Sequence, residues 1–289
     1  MLLTELANAF LQRDTLASAI RRVLVLSCAS LIVVVVFSET AEAQLGNTVP
    51  KNIYYAAKQD LHSGDFKSAE NGLLRAANSS IKIGNKRWID SICPYAMLGE
   101  LYYQQGKLAA SLQMHEAALQ VFLTNQDWLL RLQYPRLAQS NDRIQQRITW
   151  GTRTTAMAAF PDSMGSREGN IDLLSTFEFG GVVSAPHVRS VDAVEVARCL
   201  ATSLRRRAIL LGATSSVSPM SAQLSAAISR TTPPATHWVN SWVEVLYGLA
   251  QFNEGQRKNG IGNLAAGAVT GNFDHPLTGI ALLLSLIHI

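Results

Sequence analysis

The sequence predicts an all-α protein, a stack of helical hairpins in two arrays joined by an irregular linker. Three observations predict it. Apolar and small residues recur at steps of three and four along most of the chain after residue 50. These runs come in pairs, and a glycine breaks each pair: Gly64, Gly106 and Gly255. Charged residues make up only 16% of the 289, below the roughly 25% of an average soluble chain. That shortage suits helices that each bury faces against two neighbours.

The first element is a targeting segment. Residues 23–37 carry no charge, follow Arg21 and Arg22, and lead to Ala41-Glu42-Ala43 and Gln44. A basic flank, a short apolar run and a small-x-small exit form the pattern of a secretory signal peptide, with cleavage expected between Ala43 and Gln44. The run falls short of the ~20 residues that cross a bilayer. The alternative is an uncleaved signal anchor. The arginine pair supports a twin-arginine exporter signal poorly, because Ala19, Ile20, Val23 and Leu24 surround it. Cys28 opens the apolar run instead of following it, the wrong place for a lipoprotein cysteine. The stretch before Arg21 is long for such a leader, so the true start codon is a second open point. Removing the seven charged residues of 1–43 leaves the charged fraction of the remainder at about 16%. Export alone therefore does not explain the low charge.

The spacing next predicts a helix from Asn52, with Ile53, Ala56, Ala57 and Leu61, a break at Gly64-Asp65, and a second helix with Phe66, Ala69, Leu73 and Ala76. The same grammar returns with Tyr95, Leu98, Gly99 and Tyr102, a turn at Gly106, and Leu108, Ser111, His115 and Ala118. A third copy runs through Trp238, Trp242, Tyr247, Gly248 and Leu249 to Gly255, then Ile261, Leu264 and Gly267.

The segment Tyr95-Ala-Met-Leu98-Gly99-Glu-Leu-Tyr102-Tyr-Gln-Gln-Gly106-Lys-Leu108 resembles the tetratricopeptide repeat (TPR) family: a large residue, Leu-Gly, Tyr, a turn glycine and a second helix, in order. Residues 53–77 match the second half of the pattern better than the first, and in the third copy Gly260 replaces the usual alanine. Gly64 and Gly106 are 42 residues apart, against a usual period of about 34. The extra residues lengthen the connection around Ile81–Arg87, as in long-period members. The resemblance implies an α-solenoid.

Val191, Val194, Ala197, Leu200, Leu204, Ala208 and Leu211 share one stripe, predicting a helix over 191–211 that Gly212 ends. Ser218-Pro219 opens a shorter helix to Ile228, a diverged hairpin of the same stack. Residues 151–187 hold no lasting period and read as a linker. The alternative is an extended segment lying in a groove of one array, suggested by Met157–Phe160 and Phe177–Val183. The resulting order is 1–43 signal peptide, 44–150 first TPR-like array, 151–187 irregular linker and 188–289 second TPR-like array. Residues 277–289 fit the first helix of a further repeat, and their last six resemble translated adapter sequence. The chain is therefore expected to be a truncated product.

Motifs that carry chemistry are missing. There is no His-Glu-x-x-His, Cys-x-x-Cys, Gly-x-Ser-x-Gly or Gly-Lys-Ser/Thr loop. Ser79 and Lys82 form a Ser-x-x-Lys without companion motifs. Asp274-His275 before Pro276 read as a cap on the next helix, and His115 as a packed core histidine. No catalytic residue, cofactor or metal is expected. Cys93 and Cys199 lie in separate predicted arrays and read as free buried thiols, although export would permit a disulfide. Arg205-Arg206-Arg207 and Lys82, Lys86 and Arg87 read as solvated helix ends. Nucleic-acid binding would need a broader basic face with stacking aromatics.

The resemblance also implies a binding surface, since first helices of successive repeats line a concave face in this family. The candidate peptide groove comprises Lys51, Tyr54, Lys58 and His62 from the first copy, Glu100, Tyr103 and Gln104 beside Cys93 and Ala96 from the second, and Trp242 and Phe252 beside Val245 and Leu249 from the third. The clamp of chaperone-tail binders is absent, because Cys93 and Ala96 replace its polar members. The apolar third stripe is either a partner site or covered by the chain itself, and self-covering is favoured. The function expected is an exported protein–protein interaction or scaffold module, periplasmic or extracellular, without catalysis, stable membrane insertion or nucleic acid. The alternative is a docking arm of an enzyme whose catalytic domain follows Ile289.

Overall fold

In the computed structural model the residues described are 48–134, 156–157, 160–167, 188–231, 233, 237–269 and 273–286. The expected signal peptide, Ala43 and Gln44 included, lies outside them, as does most of 151–187. The described residues are mostly helical, with nine α-helices and six strands of two to four residues.

Helices α1 (Asn52–Ser63) and α2 (Phe66–Asn78) form the first hairpin. Tyr54, Ala57 and Leu61 put the buried face of α1 on a helical period. The Asp65 side chain caps α2 by accepting the Ser68 amide at 3.1 Å. The two helices approach closely because Gly72 has no side chain: a Cβ there would lie 2.6 Å from that of Ala57. The lengthened connection is a small β-hairpin, β1 (Lys82–Ile83) against β2 (Lys86–Arg87), turned at Gly84 with φ 59°. It seats the Arg87 guanidinium on the Ala77 carbonyl at the end of α2, a cation on the negative pole of the helix.

Helices α3 (Ile92–Gln104) and α4 (Leu108–Thr124) follow as the second hairpin. Ser111, His115 and Ala118 are buried on α4, while Leu108, at its first residue, is exposed. The third pair is α5 (Ala193–Leu211) and α6 (Pro219–Ser229), joined by a 3-10 turn over Gly212–Val217. Helix α5 starts two residues later than the stripe implied, because Val191 ends a strand and Asp192 caps the helix by accepting the Glu195 amide at 2.9 Å. Helices α7 (Asn240–Asn253) and α8 (Arg257–Ala266) are the fourth pair, and α9 (Thr278–Leu286) follows.

Packing runs between neighbours. Helix α2 packs on α3, α5 packs on both α3 and α4, α7 on α5 and α6, and α9 on α8. The helices before and after residues 151–187 share one hydrophobic core, from Val49 to Ala281. Helix α5 is its centre: it buries ten of its 19 residues, among them Val196, Cys199, Ser203 and Arg207. This face is much wider than the single stripe read from the sequence, since neighbours cover α5 on several sides.

The described parts of 151–187 are tied to the helical body. Strand β4 (Met164–Arg167) pairs antiparallel with β5 (Val188–Val191), and β3 (Ala156–Met157) pairs parallel with β6 (Phe273–Asp274). The Val49 amide donates to Ser190 O at 3.0 Å, and the Asp192 amide to Val49 O at 2.8 Å. No described helix is long and apolar enough to cross a membrane.

Candidate functional site

The candidate groove residues fall into three local environments. The first lies where α1 meets α5 across the start of α3. Cys93 and Ala96 on α3 are fully buried. Tyr54 Oη donates to Glu195 Oε1 at 2.5 Å, and Lys58 Nζ donates to the same oxygen at 2.5 Å. Tyr55, beside them, donates to Asp192 Oδ2 at 2.6 Å. Burial opposes the charge on Glu195, but the hydrogen bonds from Lys58 and Tyr54 outweigh it and hold the carboxyl below its ordinary range. Burial, reinforced by Cys199, pushes the Tyr54 phenol well above its usual value. At 1% exposure Tyr54 cannot present its ring to a peptide. Its place in the open groove is corrected: it is an interhelix strut.

The second environment joins α3, α4 and α5. Arg206 grips Glu100 through Nε and Nη2 at 2.7 and 2.6 Å, and its guanidinium lies 3.6 Å from the centre of the Tyr103 ring. Burial works against Glu100 ionising, yet the nearby His115 ring and the two hydrogen bonds from Arg206 lower its pKa to about 2. His115 is fully buried, with Nδ1 3.2 Å from Ser203 Oγ and Nε2 3.5 Å from Glu100 Oε1, within ion-pair range. Its ring fills the space left by Gly99, where a Cβ would stand 2.5 Å from Nε2. Tyr103 remains half-buried and Gln104 exposed.

The third environment is aromatic. Trp242 is fully buried, and the Phe160 ring lies 5.8 Å from it and 5.3 Å from Trp238. Tyr134 meets Trp238 edge-on at 5.2 Å. Val245 and Leu249 are buried beside Trp242, while Phe252 is half-buried against Gly260. Trp242 is thus closed off by the chain itself, in part by Phe160 from the segment expected to be a linker, and cannot line an open groove. Lys51 and His62 are exposed, with Lys51 Nζ donating to Ser79 O at 3.0 Å.

The arginine run is corrected as well. Arg207 is fully buried, donating from Nε to Glu116 at 3.0 Å, from Nη1 to Ser221 and Asn253 at 2.8 and 3.0 Å, and from Nη2 to Ser218 at 2.7 Å. It ties α4, α5, α6 and α7 together. A charge is tolerated there because its donors are satisfied. Glu195, Arg206 and Arg207 were not legible as site residues. The one signal in the sequence was the density of small residues on α5, Ala197, Cys199, Ala201 and Ser203, which marks a helix packed on several sides.

The motifs set aside in the sequence behave as structure. Ser79 Oγ donates to Ala76 O at 3.2 Å. His275 is buried, with Nδ1 accepting the Leu277 amide at 3.2 Å and Nε2 2.6 Å from Gly267 O. These contacts make Nδ1 the acceptor and Nε2 the protonated donor. Among the described residues no group of three His, Cys, Asp or Glu side chains is arranged to hold a metal. The described surface includes shallow grooves. One of about 630 Å³ on the α1–α2 hairpin is lined by Ile53, Ala56, Asp60, Asn71, Leu74 and Arg75. Another of about 560 Å³ between α6 and α7 is lined by Ile228, Thr231, Pro233, Asn240, Val243 and Tyr247. No protein-family model, curated protein or solved structure matches this chain.

Proposed function

We propose that this chain is a TPR-type α-solenoid, exported to the periplasm or beyond, that binds a protein or peptide of the cell envelope without catalysis. The observation that carries the reading is the recurrence of one turn. At Gly64, Gly106 and Gly255 the backbone takes φ 85°, 73° and 78°. The amide after each glycine donates to the carbonyl five residues back: Asp65 to Asp60 at 3.0 Å, Lys107 to Tyr102 at 2.8 Å and Gln256 to Gln251 at 2.9 Å. Three hairpins folded on one template, the first packed on the second and the fourth joined to them through α5 and α6, support a repeat protein.

Repeat stacks of this kind work by presenting a surface. Of the first-helix residues, His62, Gln104 and Arg198 are exposed and Tyr103 is half-buried. Cationic and aromatic groups of this kind suit an acidic extended segment. The test is capture of envelope proteins by the immobilised chain, with the identified partner then measured by titration. Tyr103→Ala with Arg198→Glu is expected to weaken that partner at least about tenfold while the helical signal stays unchanged. Equal affinity for both forms would remove this face from consideration.

A further inference from the structure

The connections that follow α2, α4 and α6 meet along one edge of the helical body. After α4, Asn125 Nδ2 donates to Arg87 O at 3.2 Å, and after α6, Thr231 Oγ1 donates to Gln126 O at 3.5 Å. Lys51, before α1, joins this edge through its bond to Ser79 O. Residues 79–91, 125–134 and 230–239 carry Lys82, Lys86, Arg87, Arg131 and Arg230 against two acids, Asp90 and Asp127. Asp90 is buried, and Asp127 is held by Arg131 at 2.5 Å. Asp192, at the start of α5, is occupied by the Glu195 amide and the Tyr55 hydroxyl. Burial holds the Glu244 carboxyl on α7 above its ordinary value. Lys51, Lys82, Lys86 and Arg230 are exposed.

The same connections expose large apolar side chains. In the β1–β2 hairpin Ile83 stands opposite Lys86, so the two share a face. Arg87, opposite Lys82, turns inward: its guanidinium meets the Ala77 carbonyl and lies 5.6 Å from the centre of the Tyr95 ring. Ile83 is 38% exposed, and Leu130, next to Arg131, is 52% exposed.

We propose that this edge is a peripheral docking surface for an anionic lipid bilayer. The exposed lysines and Arg230 meet headgroup phosphates, while Ile83, Leu130 and the aliphatic stems of the lysines enter the interfacial layer. The cations are spread over three connections, an arrangement that suits a planar polyanion. A soluble acidic chain would match the charge and leave Ile83 and Leu130 in water. The contact is peripheral, because no described helix is long and apolar enough to cross a membrane. The inference uses residues other than those of the partner-binding reading and does not need it.

The test is co-sedimentation of the full chain with phosphatidylcholine vesicles, with and without about a quarter of phosphatidylglycerol, at about 0.1 M salt, where charges are screened beyond about 10 Å. Residues 23–37 are common to every form, so variants are compared with one another. Lys82→Glu with Lys86→Glu and Arg230→Glu is expected to weaken partition onto the anionic vesicles at least about thirtyfold. Lys67→Glu with Lys107→Glu and Lys258→Glu changes the net charge equally, at exposed positions beside the turns at Gly64, Gly106 and Gly255. That control should lose less than about threefold. Ile83→Ser with Leu130→Ser should lose roughly three- to tenfold on the same vesicles. The helical signal, unchanged in all three, shows that the fold is kept. Equal losses in the two glutamate triples would assign binding to overall charge. A serine pair that binds as well as the unsubstituted chain would assign the edge to a soluble acidic polymer. Either result, or equal partition of the unsubstituted chain onto both vesicles, overturns the proposal.

Discussion

Buried acids in this molecule are shifted in opposite directions, and that sets how its stability depends on pH. Asp90 is 3% exposed, with Oδ2 accepting the Ile81 amide at 3.0 Å. Burial raises its carboxyl to about 6 despite that bond. Glu100 is lowered to about 2, and Glu195 is lowered as well, because hydrogen bonds from cations and a phenol outweigh burial. A raised acid penalises the fold above its folded pKa, and the penalty fades as pH falls from about 6 toward the ordinary value. A lowered acid stabilises the fold above its ordinary value, and that contribution is lost as pH falls toward about 2. Urea unfolding should therefore show Asp90 working against the fold at pH 7 and much less so at pH 4.5. Asp90→Asn is expected to stabilise by on the order of 1–3 kcal/mol at pH 7.5 and by about a third as much near pH 4.5. A constant difference between the two proteins from pH 4.5 to 8 would contradict this assignment. None of it was legible in the sequence. Three consecutive arginines look alike on paper, yet the structure buries Arg207, stacks Arg206 on Tyr103 and leaves Arg205 half-buried. Which face of α5 each occupies depends on neighbours contributed from far along the chain.

At the scale of elements the sequence was most informative where one residue type has one physical use. Glycine at a left-handed helix end is such a case, and Gly64, Gly106 and Gly255 are each found there. Packing spacing is another: Gly72, Gly99 and Gly248 all sit where a Cβ would come within 3.0 Å of the facing helix. Gly260, read as a departure from the family pattern, is required by its surroundings, since a Cβ there would lie 2.8 Å from the Gly248 carbonyl. The short strands were missed because two-residue pairings such as Lys82–Ile83 with Lys86–Arg87 carry no periodicity. The turn glycines make a graded prediction. At Gly64 and Gly106 nothing lies within 4 Å of where a methyl group would stand, so the cost of alanine there is its backbone conformation alone, about 1–2 kcal/mol. Gly255→Ala should cost more, because its methyl also meets Ser216 Cβ at 3.1 Å. Chemical denaturation of the three variants checks the order. A Gly255→Ala protein as stable as Gly64→Ala would remove Ser216 from the account.

For the whole molecule the decisive feature is which helices touch. Recurring hairpins could be recognised one at a time, but the meeting of Tyr54 with Glu195, or of Phe160 with Trp242, spans 141 and 82 positions and depends on how the pairs pack. Helix packing runs mainly from each hairpin to the next, with α1 also reaching α5 through Tyr54 and Lys58 on Glu195, so a disturbance should travel only as far as these shared interfaces carry it. Gly64→Ala perturbs a turn at one end, between helices whose main neighbour is α3. Arg207 instead holds α4, α5, α6 and α7 at one point. Replacing it with alanine leaves Ser221 and Asn253 without a shared donor in a closed site, a loss of roughly 3 kcal/mol or more. Amide hydrogen exchange followed by mass spectrometry separates the two cases. Gly64→Ala should speed exchange in α1 and α2 by about three- to tenfold and leave α7 and α8 as they were. Arg207→Ala should speed exchange from α4 through α8 together. Uniform acceleration along the chain in Gly64→Ala would mean that the hairpins open as one unit, and that the coupling carried through α5 reaches the first pair as strongly as it does the fourth.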